Sequence, residues 1–245
     1  MISIYTGTPG AGKSLHIAQR IYYKLRANKV VIANFEINLE KVSKKKKDQL
    51  PFYEVPNDKL IPDNLIRFSQ EYFTREKKPV KEDTIFLVID EAQIVFNSRE
   101  WQHGLNRPQW LSFFSQHRKY GYEVVLIAQF DGMIDKQIRT LIEYNYIHRK
   151  VSNFGIFGRL FSLLSFGKLF VAVKMWYPLN EKVGSEFFKA HKKYYSIYDT
   201  FANFKRQDSP LKVAGSPDPD AAPADLSAVL LPDPETDTEK KKQAV

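Results

Sequence analysis

The chain has 245 residues, 43% hydrophobic and 14% aromatic, enough to bury one full core and an appendage. It has no run of about 18 uncharged apolar residues and no basic stretch ahead of an apolar one near its start, so neither a spanning helix nor a secretory signal is expected. With no cysteine it has no disulfide or thiolate metal site, and its formal charge of +9 is uneven: residues 209–245 hold seven acidic and four basic side chains, leaving +12 on the rest. Such a surplus fits nucleic acid, anionic lipid or an acidic partner, and is also common in soluble proteins. The expected location is the cytoplasm.

Residues 2–5 (Ile-Ser-Ile-Tyr) read as a short strand and residues 15–23 as a helix. Between them stand Gly7, Thr8, Pro9, Gly10, Ala11, Gly12, Lys13 and Ser14, a complete phosphate-binding loop in the strand–loop–helix context it requires. Glycines let backbone N–H groups close around a phosphate, and a helix N-terminus adds partial positive charge. Lys13 would reach the β- and γ-phosphates and Ser14 would ligate magnesium. A plain glycine-rich turn is the bland alternative; the full motif in this context favours a nucleoside triphosphate, with ATP and Mg²⁺ the expected pair.

Further apolar segments follow at residues 29–35, 84–89, 123–128 and 144–151, alternating with helical patterns. That alternation predicts an α/β fold, a parallel sheet flanked by helices. The unbroken apolar run at 84–89 is expected in the sheet centre, buried on both faces. Pro108 can open a helix through residue 114 that stops near Gly121, and residues 135–143 place Ile138, Leu141 and Ile142 at helical spacing.

Two insertions interrupt the plan. Residues 36–83 contain Lys44 to Lys47 and then Pro51, Pro56 and Pro62, and read as a loop with a helix near 64–73. The four lysines are either a solvated loop or a contact for phosphate backbones or lipid headgroups. Residues 153–167 are apolar, with Phe154, Phe157 and Phe161, but carry Arg159 and are too short to span a bilayer. An amphipathic element on a membrane, a buried hairpin and a subunit contact all fit. Residues 169–173 look like one more strand, and the acidic, proline-rich stretch from 217 onward is expected to be disordered. The expected organisation is an ATPase domain over residues 1–208 and a tail over 209–245.

The third strand ends in Asp90-Glu91, a Walker B pattern. Asp90 would hold magnesium through water, and Glu91 would orient and deprotonate the attacking water. An acidic pair after a strand is weak alone and strong beside the phosphate-binding loop. The fourth strand ends in Ala128-Gln129, where Gln129 would sense the γ-phosphate, or merely leave the sheet as a polar residue. Arg139, in preference to Arg118, is the candidate to reach a neighbouring subunit's nucleotide and stabilise transition-state charge; an ordinary surface arginine is the plain alternative.

These motifs resemble the zonula occludens toxin-like family, which includes the gene I assembly proteins of filamentous phages. The resemblance rests on residues 7–14, 88–93 (Val-Ile-Asp-Glu-Ala-Gln), 116–123, 126–129, 134–139 and the closing segment 195–201 (Tyr-Ser-Ile-Tyr-Asp-Thr-Phe). It implies a P-loop NTPase of the additional-strand type, a ring of subunits at the inner face of the cytoplasmic membrane, and a motor for single-stranded DNA extrusion. Implied partners are phage assembly or pore proteins, single-stranded DNA or its nucleoprotein complex, and the membrane surface. It also implies the roles above for Lys13, Ser14, Asp90 and Glu91, with Gln129 as sensor. The gene I proteins continue through a membrane span into a periplasmic segment, which is not visible in this sequence. A nucleotide-dependent switch or scaffold with little turnover is the alternative function. A phosphotransferase is disfavoured, because a kinase needs no water-activating carboxylate beside Asp90.

Overall fold

Continuous apolar runs of five or six residues have one stable home, a sheet covered on both faces. The computed structural model, which describes residues 1–42, 50–97, 107–153 and 168–198, has them there. Strands β1 (Ile2–Thr6), β2 (Val30–Ala33), β4 (Ile85–Ile89) and β5 (Tyr122–Ile127) are buried at every position. They join β3 (Phe52–Glu54), β6 (Tyr144–Lys150), β7 (Leu169–Trp176) and β8 (Glu181–Lys189) in one eight-stranded sheet, ordered β3-β2-β4-β5-β1-β6-β7-β8.

Strands β1 to β6 run parallel, while β7 and β8 extend the sheet as an antiparallel hairpin. Strand β5 separates β1 from β4, with Val124 opposite both Ile2 and Leu87. The extra strand between the phosphate-loop strand and the Asp90 strand gives the additional-strand arrangement. Because these strands are parallel, the C-terminal ends of β1, β4 and β5 share one edge, where α/β folds bind ligands.

Alternate residues feed opposite faces. Ile85, Leu87 and Ile89 pack with Leu65, Phe68, Trp110 and Phe113, from helices α2 (Pro62–Glu76) and α4 (Arg107–Gln116). Phe86 and Val88 face Leu15, Ile17, Ala18 and Ile21 of α1 (Lys13–Arg26). Pro62 opens α2, where its missing N–H costs nothing. Short helices α3 (Ala92–Val95), α5 (Lys136–Arg139) and α6 (Lys192–Tyr195) complete the α-helices among the described residues.

Three expectations are corrected. Strand β3 lies inside the segment read as a loop: Pro51 and Pro56 flank it, yet Val31 to Ala33 pair with its three residues. The helical spacing over 135–143 yields only the four residues of α5. The strand read at 169–173 continues to Trp176 and returns through β8, which the sequence analysis did not include. Lys44 to Lys47, the apolar residues 154–167 and the tail lie outside the described residues.

Candidate functional site

The phosphate-binding loop turns sharply between β1 and α1, and its glycines are required by what packs behind them. Gly7 has φ of 139°, and a Cβ there would sit 2.6 Å from the His148 carbonyl oxygen. Gly12, at φ of 98°, would drive a Cβ to 2.7 Å from Cδ1 of Phe170 on β7. The loop is therefore seated on β6 and β7 with no room for side chains at these two positions. Thr8, Pro9 and Gly10 are exposed, and Ser14 is half-buried in the first turn of α1. Lys13 folds back over the loop, its Nζ donating to the carbonyls of Gly7 at 2.5 Å and Thr8 at 3.3 Å. Burial lowers the Lys13 pKa, and the charges of Asp90 and Glu91 oppose that shift. The structure thus brings Lys13, Asp90 and Glu91 within electrostatic reach across the intervening strand.

Asp90 is fixed on every side. Asn34, just past β2, accepts from its backbone N–H at 2.7 Å and donates to its carbonyl at 2.9 Å. Its Oδ1 accepts from the Glu91 N–H at 2.8 Å, and its Oδ2 accepts from the Tyr198 hydroxyl. Burial raises the Asp90 pKa, while those two hydrogen bonds and Lys13 pull it back. Glu91 is exposed at the N-cap of α3 in the left-handed conformation, φ 49°, and its Oε2 accepts from Gln93 Nε2. A non-glycine residue held there carries strain that recurs at functional sites.

Gln129 follows β5, and its carbonyl accepts from the Gly7 N–H at 3.1 Å, tying this strand end to the phosphate loop. Arg139 lies elsewhere. Its charge acts on Tyr177, whose hydroxyl donates to Asp131 at 2.8 Å and whose N–H donates to Glu143 O beside the start of β6. The Arg139 Nε is buried with no hydrogen-bond partner among the described residues. Arg118 precedes β5, at the edge opposite the loop, and pairs with Glu143 at 2.7 Å.

Sequence reasoning missed a layer beneath the loop. His148 Nδ1 lies 2.9 Å from Tyr146 O and 3.2 Å from Thr6 O. Two acceptors require Nδ1 to carry the proton, so His148 Nε2 is a lone pair that accepts from His16 Nδ1 at 2.9 Å. His16 Nε2 then faces Glu186 at 3.4 Å. Burial first and the His16 charge second push the His148 pKa down to about 3. The His16 pKa is also lowered by burial, against the pull of Glu186. Nearby, buried Glu123 of β5 pairs with Arg20 and Lys24, one turn apart on α1, which locks the loop's helix to the strand ending in Gln129. Among the described residues no cluster of three or more His, Cys, Asp or Glu could hold a metal alone.

The profile of the family described as Zonular occludens toxin (Zot) matches residues 1–205. The Gene 1 protein of Enterobacteria phage I2-2 is 28% identical over 175 residues, covering 69% of this chain and 46% of that protein. The Gene 1 protein of Salmonella phage IKe is 28% identical over 174 residues, covering 69% and 46%. The chain spans about half the length of the curated relatives it matches. The N-terminal domain of zonular occludens toxin from Neisseria meningitidis aligns at 18% identity with TM-score 0.48, over 81% of this chain and 98% of that one. A second solved structure, of an ATPase domain, aligns at 10% identity with TM-score 0.51, over 81% and 84%, a likeness of fold. With that topology, the fold is that of a P-loop NTPase. The match of the family profile across residues 1–205 settles membership: the chain belongs to the Zonular occludens toxin (Zot) family.

Proposed function

We propose that this chain is the ATP-hydrolysing motor of filamentous phage assembly, driving extrusion of single-stranded DNA at the inner face of the host's cytoplasmic membrane. The observation that carries the ATPase reading is the convergence of Lys13, Asp90 and Glu91 at the sheet edge that bears the phosphate loop. The phage reading is supported by the Gene 1 relatives from phages. Ring assembly, pore and coat partners, and contact with DNA or membrane rest on the family resemblance and are part of the proposal.

The residues present fit ATP and magnesium. Gly7 and Gly12 let the loop seat on β6 and β7, where a Cβ would strike the His148 carbonyl or the Phe170 ring, and the Ser14 hydroxyl and Asp90 carboxylate are the oxygen donors a hard cation takes. Magnesium, when bound, neutralises charge building on the phosphate oxygens. Lys13 exchanges the Gly7 and Thr8 carbonyls for β- and γ-phosphate oxygens, keeping its ammonium paired throughout. Glu91, exposed at the start of α3, accepts the proton of the attacking water as that oxygen bonds to the γ-phosphorus. The bond from that phosphorus to the β–γ bridging oxygen breaks, and ADP leaves. Gln129, whose carbonyl accepts from the Gly7 N–H, takes the sensor role and relays γ-phosphate occupancy to β5. Arg139, remote from its own chain's Lys13, is assigned to a neighbouring subunit's nucleotide.

Paired binding and hydrolysis assays test this. Glu91→Gln is expected to bind ATP as tightly as wild type but release phosphate at least ~100-fold more slowly, the scale of general-base catalysis. Lys13→Ala is expected to lose binding. Unchanged phosphate release by Glu91→Gln would contradict the assignment.

A further inference from the structure

The segment after β8 crosses back over the sheet and reaches Asp90 at Tyr198. Helix α6 docks on the phosphate-loop helix: the Tyr194 and Tyr23 hydroxyls are 2.8 Å apart, and the Tyr194 ring meets that of Tyr22 edge-on at 5.6 Å. Three residues on, the Ile197 carbonyl accepts from the Asn38 N–H at 2.8 Å. Tyr198 is then buried with its ring 4.4 Å from that of Phe35, and its hydroxyl donates to Asp90 Oδ2. One short strap therefore touches both the helix that opens at Lys13 and the carboxylate that ends β4.

From this juxtaposition we propose that Tyr198 is a positioning residue for Asp90, setting the magnesium requirement of ATP binding. The inference rests on the ATP reading above. A carboxylate oxygen can accept two hydrogen bonds. With Oδ1 on the Glu91 N–H and Oδ2 on the Tyr198 hydroxyl, both carboxylate oxygens are held, and each keeps the capacity to accept a second bond. Among the described residues, Asn34 hydrogen-bonds the Asp90 backbone, and Tyr198 is the residue outside the motif whose hydrogen bond orients the carboxylate itself. Partners of this kind typically change metal affinity by about 10–100-fold when removed.

The test is a magnesium chloride titration of ATP binding by the full chain, with EDTA as the metal-free point. Tyr198→Phe keeps the ring on Phe35 and removes only the hydroxyl. It is expected to need at least ~10-fold more magnesium for half-maximal binding, with affinity in EDTA unchanged. Tyr194→Phe, which loosens the same strap without touching Asp90, is expected to titrate like wild type. Should Tyr198→Phe fail to fold, Phe35→Leu, which unseats the ring but keeps the hydroxyl, must raise the magnesium requirement. An unshifted titration, or equal weakening with and without magnesium, overturns the proposal while leaving the ATP reading intact. A wild-type chain that binds no ATP at any magnesium concentration overturns both.

Discussion

Gly12 shows how much one residue can carry. It caps α1 at a φ that disfavours side chains, and Phe170 fills the space a Cβ would need. Gly12→Ala is therefore expected to cost about 1–3 kcal/mol in chemical denaturation and to weaken ATP binding, because relief requires the first turn of α1 to shift. A stability unchanged within ~0.5 kcal/mol would show that the loop yields easily. The residues of the loop and the Asp90-Glu91 pair were legible in the sequence because fixed local spacing encodes them. Asn34, Tyr198, His148 and Glu186 were not, because each acts through a contact dozens of residues or more away in the chain. Tyr198 stood inside a segment that marked the family resemblance, but nothing local pointed it at Asp90.

Among the elements, α1 has the most consequential attachments. Arg20 and Lys24 both close on Glu123, which is 3% exposed, and these cations hold its pKa down against burial. Arg20 also stacks 4.8 Å over Phe86 and donates to the Tyr5 hydroxyl at 2.9 Å. Glu123→Ala leaves two part-buried cations without their carboxylate and is expected to destabilise by about 3–5 kcal/mol. A loss under ~1 kcal/mol in equilibrium unfolding would mean that water or other partners replace Glu123 readily. The same scale explains what was readable in the elements. Unbroken apolar runs announce central strands, since both faces are covered. Strand β3 has three residues between prolines, and β8 is an edge strand whose side chains are mostly exposed. Neither can show the pattern that burial imposes.

For the whole molecule, the buried histidines link stability to pH. His148 titrates at about 3 in the folded chain against 6.5 for an ordinary histidine, and His16 is shifted the same way. Below about pH 6.5 the unfolded chain binds protons that the folded chain refuses, so stability falls as pH falls from there toward 3. One such group contributes up to ~1.4 kcal/mol per pH unit. The groups facing the pair are Glu186, Arg20, Lys13 and the Tyr5 and Tyr146 rings. Melting temperature is expected to be flat above about pH 7 and to drop between about pH 6.5 and 5, with a shallower drop in His148→Asn. Equal slopes in the two proteins would remove His148 as the cause. Since the pair lies directly under Gly7, acid loosening should reach the nucleotide site before the far edge of the sheet.

The proposed function makes hydrolysis the work of an assembly of subunits. Its most direct test is ATP turnover per subunit across a wide range of protein concentration, with Glu91→Gln as the control. The account predicts turnover that rises with concentration and disappears in Glu91→Gln. Flat, near-zero turnover despite tight ATP binding would contradict it, and would make the chain a nucleotide-dependent switch.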